Sequence, residues 1–310
     1  MIARPTRSDW LLLLALGFMW GTSYVFIKLG VQTLETFTLI AFRLGIGFLV
    51  LATVVAIARE PLPRNPRTYV HLVVMAVINI VIPFTLITFA EQSVESALAA
   101  ILNGAVPLVV IVLAALVFHD EPITVNRLIG LVVGYAGVIV LVSRGLTGGT
   151  DEAAFIGELA LLGSTVAYGV GAVYSRHTIR GLRPMIPAVF QVGIAFLMVA
   201  ALALTLENPL GVAWNLDAAV SVLWLGVLGS GLAYLVNFRL LSRIGATRTS
   251  LVAYLLPVFG ITAGVLMFNE QIDARVLLGT ALVFGGVALV NSRRGERRLF
   301  GRRETTATTN

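Results

Sequence analysis

The sequence predicts an all-α integral membrane fold of ten transmembrane helices, built as two five-helix repeats of opposite orientation. Three observations carry that expectation. Of 310 residues, 58% are hydrophobic and 12% charged, whereas soluble domains run at about 45–50% apolar and 25% charged; mean hydropathy is +0.93. Ten apolar runs are long enough, at about 20 residues each, to cross roughly 30 Å of hydrocarbon. Finally, "AFRLGIGFLVLA" at 41–52 returns as "VFQVGIAFLMVA" at 189–200, with Gln191 where Arg43 stood.

The runs fall at 10–29, 38–58, 70–90, 96–118, 127–143, 155–176, 186–206, 218–240, 248–268 and 275–291. Each reads as helix, because lipid offers the backbone no hydrogen-bond partner and the runs lack the alternation of barrel strands. The first follows Arg4 and Arg7 but is too long for a cleaved leader and lacks a convincing cleavage site, so it is expected to stay as a span. Connections are short and leave no room for a soluble insertion. The expected organisation is a first repeat at 1–150, a second at 151–294 and a basic, polar, disordered tail at 295–310.

Charge sets the expected orientation. With the N-terminus in the cytoplasm, the inside segments collect Arg4 and Arg7, Arg59 to Arg67, Arg127, Arg176 to Arg183, Arg239 to Arg248, and the tail from Arg293 to Arg303. Lys28, Arg144 and Arg275 fall outside. This asymmetry places both termini in the cytoplasm of a multi-pass bacterial inner-membrane protein. It also explains a pI near 10.2 without nucleic acid, since a basic cytoplasmic end sits naturally beside anionic lipid. Cysteine is absent, which excludes disulfides, thiolate metal sites and cysteine nucleophiles.

The repeat extends past its first phrase. "MWGTSYVFIK" (19–28) lies over "AYGVGAVYSR" (167–176), Pro107 over Pro257, and "GVIVLVSR" (137–144) over "GVALVNSR" (286–293). Five helices per copy is an odd number, so the second copy must enter from the opposite side, as in inverted-repeat transporters. At these residues the chain resembles an EamA-type member of the drug/metabolite transporter superfamily. The resemblance spans residues 10 to 293: "FRLGIGFL" in the second helix, Pro107 followed by "FHDEP" and "RLIGLVVGYAGVIVL", and "TSLVAYLLPVFG" followed by "FNEQ" and "LLGTALVFGGVAL". Within the superfamily it is similar to bacterial amino-acid exporters of the YddG type. Family members often carry a glutamate before the ninth-helix proline; here that position is Leu256, so no coupling role carries over.

The resemblance implies a midplane cavity lined by helices 1, 3, 4, 6, 8 and 9. Polar residues there stand out, because an unpartnered amide in hydrocarbon costs several kcal/mol. Asn79 shares a helix face with Pro83, Asn103 with Pro107, and Ser230 with Tyr234 and Asn237. Trp20, Tyr24, Tyr168 and Tyr254 add aromatic walls. These residues are the candidate substrate contacts, with interhelical glue or plain packing as the competing role for each. Pro83, Pro107 and Pro257 are candidate hinges. The glycine-rich faces of the fifth and tenth spans read as close contacts within one monomer.

Arg43 lies about two turns inside the second span, deep enough that it must pair, snorkel or meet water. One reading has it attract a substrate carboxylate. The favoured one is structural: helix 2 lies behind the cavity, and Arg43 ties it to carbonyls or to Glu91 and Glu95.

No acid falls near the centre of a span, and His71, His119 and His177 lie toward cytoplasmic ends. Asp120, Glu121 and Glu270 instead precede helices 5 and 10, where the helix dipole stabilises an acid. The expected activity is therefore export of small metabolites, foremost neutral amino acids including aromatic ones, by alternating access and facilitated diffusion. Drugs, sugars or nucleosides, proton-coupled antiport, and a channel are the alternatives. Neither a His/Asp/Glu cluster nor an HExxH pattern occurs, so neither catalysis nor a metal or other cofactor is expected. The expected partners are a small-molecule substrate and the lipid bilayer, with a monomer sufficient for the task.

Overall fold

A computed structural model describes residues 5–117, 124–146, 151–178, 182–183 and 185–291. Eight helices in it are long and apolar enough to cross a membrane: α1 (Arg7–Gly30), α2 (Thr36–Ala58), α3 (Pro66–Ala90), α4 (Ser96–Val117), α5 (Val125–Ser143), α6 (Glu152–Arg176), α7 (Met185–Leu206) and α8 (Leu216–Ile244). Two shorter apolar helices, α9 (Val252–Phe268) and α10 (Ala274–Val290), complete the ten. At 1.5 Å per residue, their 17 residues each fall a few Å short of a roughly 30 Å bilayer core. No strand occurs among the described residues. Arg4, His119, Asp120, Glu121, Arg180 and the tail at 295–310 lie outside the described residues, so the expectations placed on them do too.

The helix contacts repeat when α1–α5 are exchanged with α6–α10. α2 packs on α7, α4 on α9 and α5 on α10, each pair being its own image. The α2–α8 contact is the image of α7–α3, α3–α6 of α8–α1, and α1–α9 of α6–α4. This is the contact pattern of a pseudo-twofold, and it is what two related states of one molecule require.

The glycines of α5 and α10 let two backbones touch. A Cβ on Gly286 would stand 2.5 Å from the carbonyl oxygen of Gly130 and 2.5 Å from the nitrogen of Gly134; one on Gly137 would stand 2.8 Å from the carbonyl of Gly279. The expected close contact within the monomer is therefore present.

Five helices depart from continuous α geometry: α1 breaks at Thr22, and in the other four the prolines explain most of it. Pro83 has no N–H for the carbonyl of Asn79, and the ladder widens to a π-helix over Val77–Val81 just before it. α4 breaks at Gly104 and Ala105 ahead of Pro107, and a 3₁₀ segment, Ser250–Tyr254, leads into Pro257. In α8 a π-helix over Trp224–Leu232 contains no proline; Gly226, Gly229 and Gly231 stand there instead. Its cause is close packing on α2, since a Cβ on Gly226 would lie 2.6 Å from Ile46 Cβ and one on Gly47 would lie 2.7 Å from Ser230 Cβ. Apart from the break in α1, which the continuous α6 does not share, the irregular stretches fall on α3 and α8, and on α4 and α9, which are matched pairs.

Candidate functional site

The close approach of α2 to α8 aims Arg43 inward. Its Nε donates to Ser230 Oγ at 2.9 Å, and its guanidinium lies 4.1 Å from the ring centre of Phe84 on α3. The four N–H groups on its terminal nitrogens find no protein acceptor among the described residues. Tyr24, Tyr168 and Tyr234, from α1, α6 and α8, all lie within its electrostatic reach. Gly229 lets the helices pack close beside it: an added Cβ there would meet Ser23 Oγ at 2.9 Å and Arg43 Nη2 at 3.5 Å. Arg43 itself is 5% exposed.

The partners expected for Arg43 are not the ones it meets: it makes no ion pair with Glu91 or Glu95 and bonds no carbonyl among the described residues, and it ties α2 to Ser230 of α8 instead. The physical reason is Gly47, which lets α2 sink onto the π-segment of α8 and turns the side chain four residues earlier toward the centre.

The remaining candidates separate into two groups. Trp20 joins the arginine cluster: its Nε1 donates to the Gly229 carbonyl at 3.1 Å, and its ring meets Tyr234 edge-on at 6.0 Å. Tyr24 is buried, Ser230 fully so, and Asn237 lies one turn beyond Tyr234, partly buried. Asn79 and Asn103 are held by protein. Asn79 Nδ2 donates to Gln191 Oε1 at 3.1 Å, while Asn103 donates to the Ala99 carbonyl and accepts from Ser164. Pro83 is buried under the π-segment, and Tyr254 stands apart, packed against Phe284 on α10.

Both ends of the bundle are tied, by different means. At the end carrying most of the acids, the residues preceding α2 and α4, Glu35 and Glu95, form no side-chain cap. Acids from the second half do so instead. Glu207 accepts from Phe37 N and from Thr38 N and Oγ1, and Glu270 from Ser96 N and Oγ and from Ala97 N, all at 2.7–2.9 Å. Each satisfies orphan donors at a positive helix end, a contribution of about 0.5–2 kcal/mol. Lys28 Nζ adds bonds to the carbonyls of Glu91 (2.8 Å) and Val94 (2.9 Å).

At the arginine-rich end, Asp9 meets Arg243 at 3.3 Å and Glu60 meets a largely exposed Arg183 at 2.7 Å. Beside that exposed pair a groove runs between Met185, Leu235, Phe238 and Arg239. Exposed pairs contribute little, about 0–1 kcal/mol. Among the described residues, the acidic end is thus tied by carboxylates on helix starts and the arginine-rich end by ion pairs.

Sequence reasoning missed Phe84, the Asn79–Gln191 pair and the two acid clasps. Glu207 and Glu270 each directly follow a span or its left-handed cap, and each reaches a helix that begins with threonine or serine; that recurrence was the available signal. No group of three or more acidic, histidine or cysteine side chains fit to hold a metal occurs among the described residues.

Known proteins share this architecture along nearly its whole length. A Bacillus subtilis protein named Uncharacterized transporter YoaV is 23% identical over 89% of this chain and 94% of its own. YvbV, another named transporter of that organism, is 28% identical over 93% of each. The Escherichia coli protein named Uncharacterized inner membrane transporter YedA is 26% identical over 90% of this chain and 89% of its own. A solved crystal structure superposes with a TM-score of 0.66 at 21% identity, covering 92% of this chain and 96% of that one, which is a likeness of fold. The EamA-like transporter family profile matches residues 8–143 and again residues 155–292, and with two such matches in ten apolar helices the chain belongs to that family of the drug/metabolite transporter superfamily, as a multi-pass membrane transporter.

Proposed function

We propose that this transporter carries small neutral metabolites, foremost neutral amino acids including aromatic ones, out of the cytoplasm by alternating access. The observation that carries the reading is Arg43. A guanidinium with four unmatched N–H groups sits among Trp20, Tyr24, Phe84, Tyr168 and Tyr234. An unpaired charge so deep costs several kcal/mol unless a ligand or water relieves it. A carboxylate fits its planar fork, and the aromatic walls suit an apolar or aromatic side chain. Trp20, Tyr24, Tyr168, Ser230, Tyr234 and Asn237 then form the contact wall. Asn79, Asn103, Pro83 and Tyr254 form the frame behind it, and the breaks before Pro83, Pro107 and Pro257 are where the frame bends.

Selectivity among side chains should be loose, because apolar walls discriminate by only about 1–3 kcal/mol per methylene. Movement runs down the solute's own gradient, and the two acid clasps, which join the halves at the acidic end, support a reading in which the arginine-rich end is the one that opens here. That end faces the cytoplasm, with both termini, on the positive-inside argument.

Counterflow tests this. Proteoliposomes preloaded with unlabelled phenylalanine should accumulate external tracer transiently and saturably, without a pH gradient or membrane potential. Linear, non-saturating flux would mean a channel; no movement of any amino acid, with movement of sugars or nucleosides, would mean another substrate class. Trp20→Ala and Asn237→Ala should lower that flux while inserting normally. Reporters fused after Ser8 and after Arg294 should both report the cytoplasm; an external C-terminus would overturn the topology.

A further inference from the structure

Glu91, the first residue beyond α3, is 0% exposed, and neither of its carboxylate oxygens has a hydrogen-bond partner. The cation beside it does not pair with it: Lys28 Nζ donates to the main-chain carbonyls of Glu91 and Val94. The other charged and titratable groups facing it are Tyr24 from α1, Arg43 from α2 and Glu270 beyond α9, with Glu95 following in its own connection. α6 packs against Ala90 to Val94 through Gly157, but the charge partner of its Glu158 is Arg275. Burial pushes the Glu91 carboxyl well above the usual range; Lys28 opposes this and Glu270 adds to it. An enclosed carboxylate with no donor costs several kcal/mol, which the neutral acid avoids.

We propose that Glu91 is a proton-binding site, filled each time the acidic end closes and emptied into the same aqueous phase each time it opens. The proton adds to a carboxylate oxygen, no other bond changes, and nothing crosses the membrane with it. The inference rests on the alternating-access reading but not on the substrate assigned. In the open state the carboxyl meets water and titrates in the ordinary carboxylate range. Between that range and its raised value in the closed state, the closed state holds one more proton. The ratio of closed to open molecules therefore falls about tenfold for each unit of rising pH. Low pH on that side shuts the acidic end, and rising pH releases it.

The chain contains no cysteine, so one can be placed as a reporter. Val94→Cys puts a thiol at a position 4% exposed inside the closure, beside Glu91. Its labelling by a membrane-impermeant maleimide is followed against pH, in this background and with Glu91→Gln added. Dividing the two rates removes the thiol's own titration. The ratio should rise about tenfold per pH unit through a window above the ordinary carboxylate range. Glu91→Met, a second non-titrating variant, should match Glu91→Gln, and Glu95→Gln should keep the slope. A ratio that does not change with pH would overturn the proposal, because Glu91 would then stay ionised beside Lys28 throughout. The readout needs no substrate, so it stands whether or not phenylalanine is carried.

Discussion

Arg43 and Gln191 occupy the same place in the two halves, and each reaches across to a helix whose ladder has slipped into π geometry. Gln191 accepts one bond from Asn79 in the π-segment of α3. Arg43 donates one bond to Ser230 in the π-segment of α8. The scaffold is the same twice, yet one copy is a neutral amide pair and the other leaves a charged group with four donors unmatched. Symmetry supplies two matched crossings; the break in symmetry is the feature on which the proposed solute site rests. Had both positions been glutamine, the crossing would be interhelical glue and nothing more.

Four substitutions, the first paired with Gln191→Ala as its control, press on this comparison in falling order of expected effect. Arg43→Gln makes the halves alike at this point, and phenylalanine counterflow should fall by about 10- to 100-fold, the loss of about 1.5–3 kcal/mol from hydrogen bonds to a charged group. Gln191→Ala should leave flux within a few-fold; equal losses at both sites would make the pairs equivalent and the comparison empty.

Gly47→Ala comes next, because its Cβ would lie 2.7 Å from Ser230 Cβ and 3.2 Å from the Ser230 backbone, which cannot swing aside. Overpacking costs about 1–3 kcal/mol. Both Tm and counterflow should drop, and an unchanged flux would show that the α2–α8 approach does not aim Arg43.

Trp20→Phe keeps a ring against Tyr234 but removes the bond to the Gly229 carbonyl. That bond contributes about 0.5–1.5 kcal/mol, so the rate should fall a few-fold, and a rate at the parental level would place Trp20 outside the working wall. Gly171→Ala should matter least for transport. Its Cβ would collide with Asn79 Oδ1, the end of a side chain that can rotate away at the cost of the Gln191 bond. Thermal unfolding should register a loss of about 1 kcal/mol while flux changes little; a large loss of flux would move the site toward α3.

Nearly all of the helical frame was legible before any coordinates, because hydrophobicity over 20 residues is a long, redundant signal. The spans expected at 38–58 and 186–206, for example, are observed at Thr36–Ala58 and Met185–Leu206. The site was less legible. Trp20, Tyr24, Tyr168 and Tyr234 could be named because aromatic residues in a polar-dotted span are conspicuous. The direction of Arg43 could not, since it depends on Gly47 meeting Ser230, a contact between residues far apart in sequence. Between substrate contact and interhelical glue, the amides of Asn79 and Asn103 could not be assigned for the same reason: Gln191 and Ser164, their partners, come from other helices. Glu91 was legible as a candidate partner for Arg43 but not as a carboxyl left without a donor, since that depends on α1 and the α9 end closing over it.

The central claim, that the unmatched guanidinium of Arg43 holds the substrate's carboxylate, is tested most directly by competition between phenylalanine and phenylalaninamide, which lacks that carboxylate, for tracer phenylalanine counterflow. In the parent chain phenylalanine should compete at least about tenfold more effectively, in line with a charge-assisted bidentate contact. In Arg43→Gln, whose residual flux is measured at higher protein loading, that preference should disappear. If the variant kept the parent's preference, the carboxylate would be recognised elsewhere and Arg43 would return to a purely structural role.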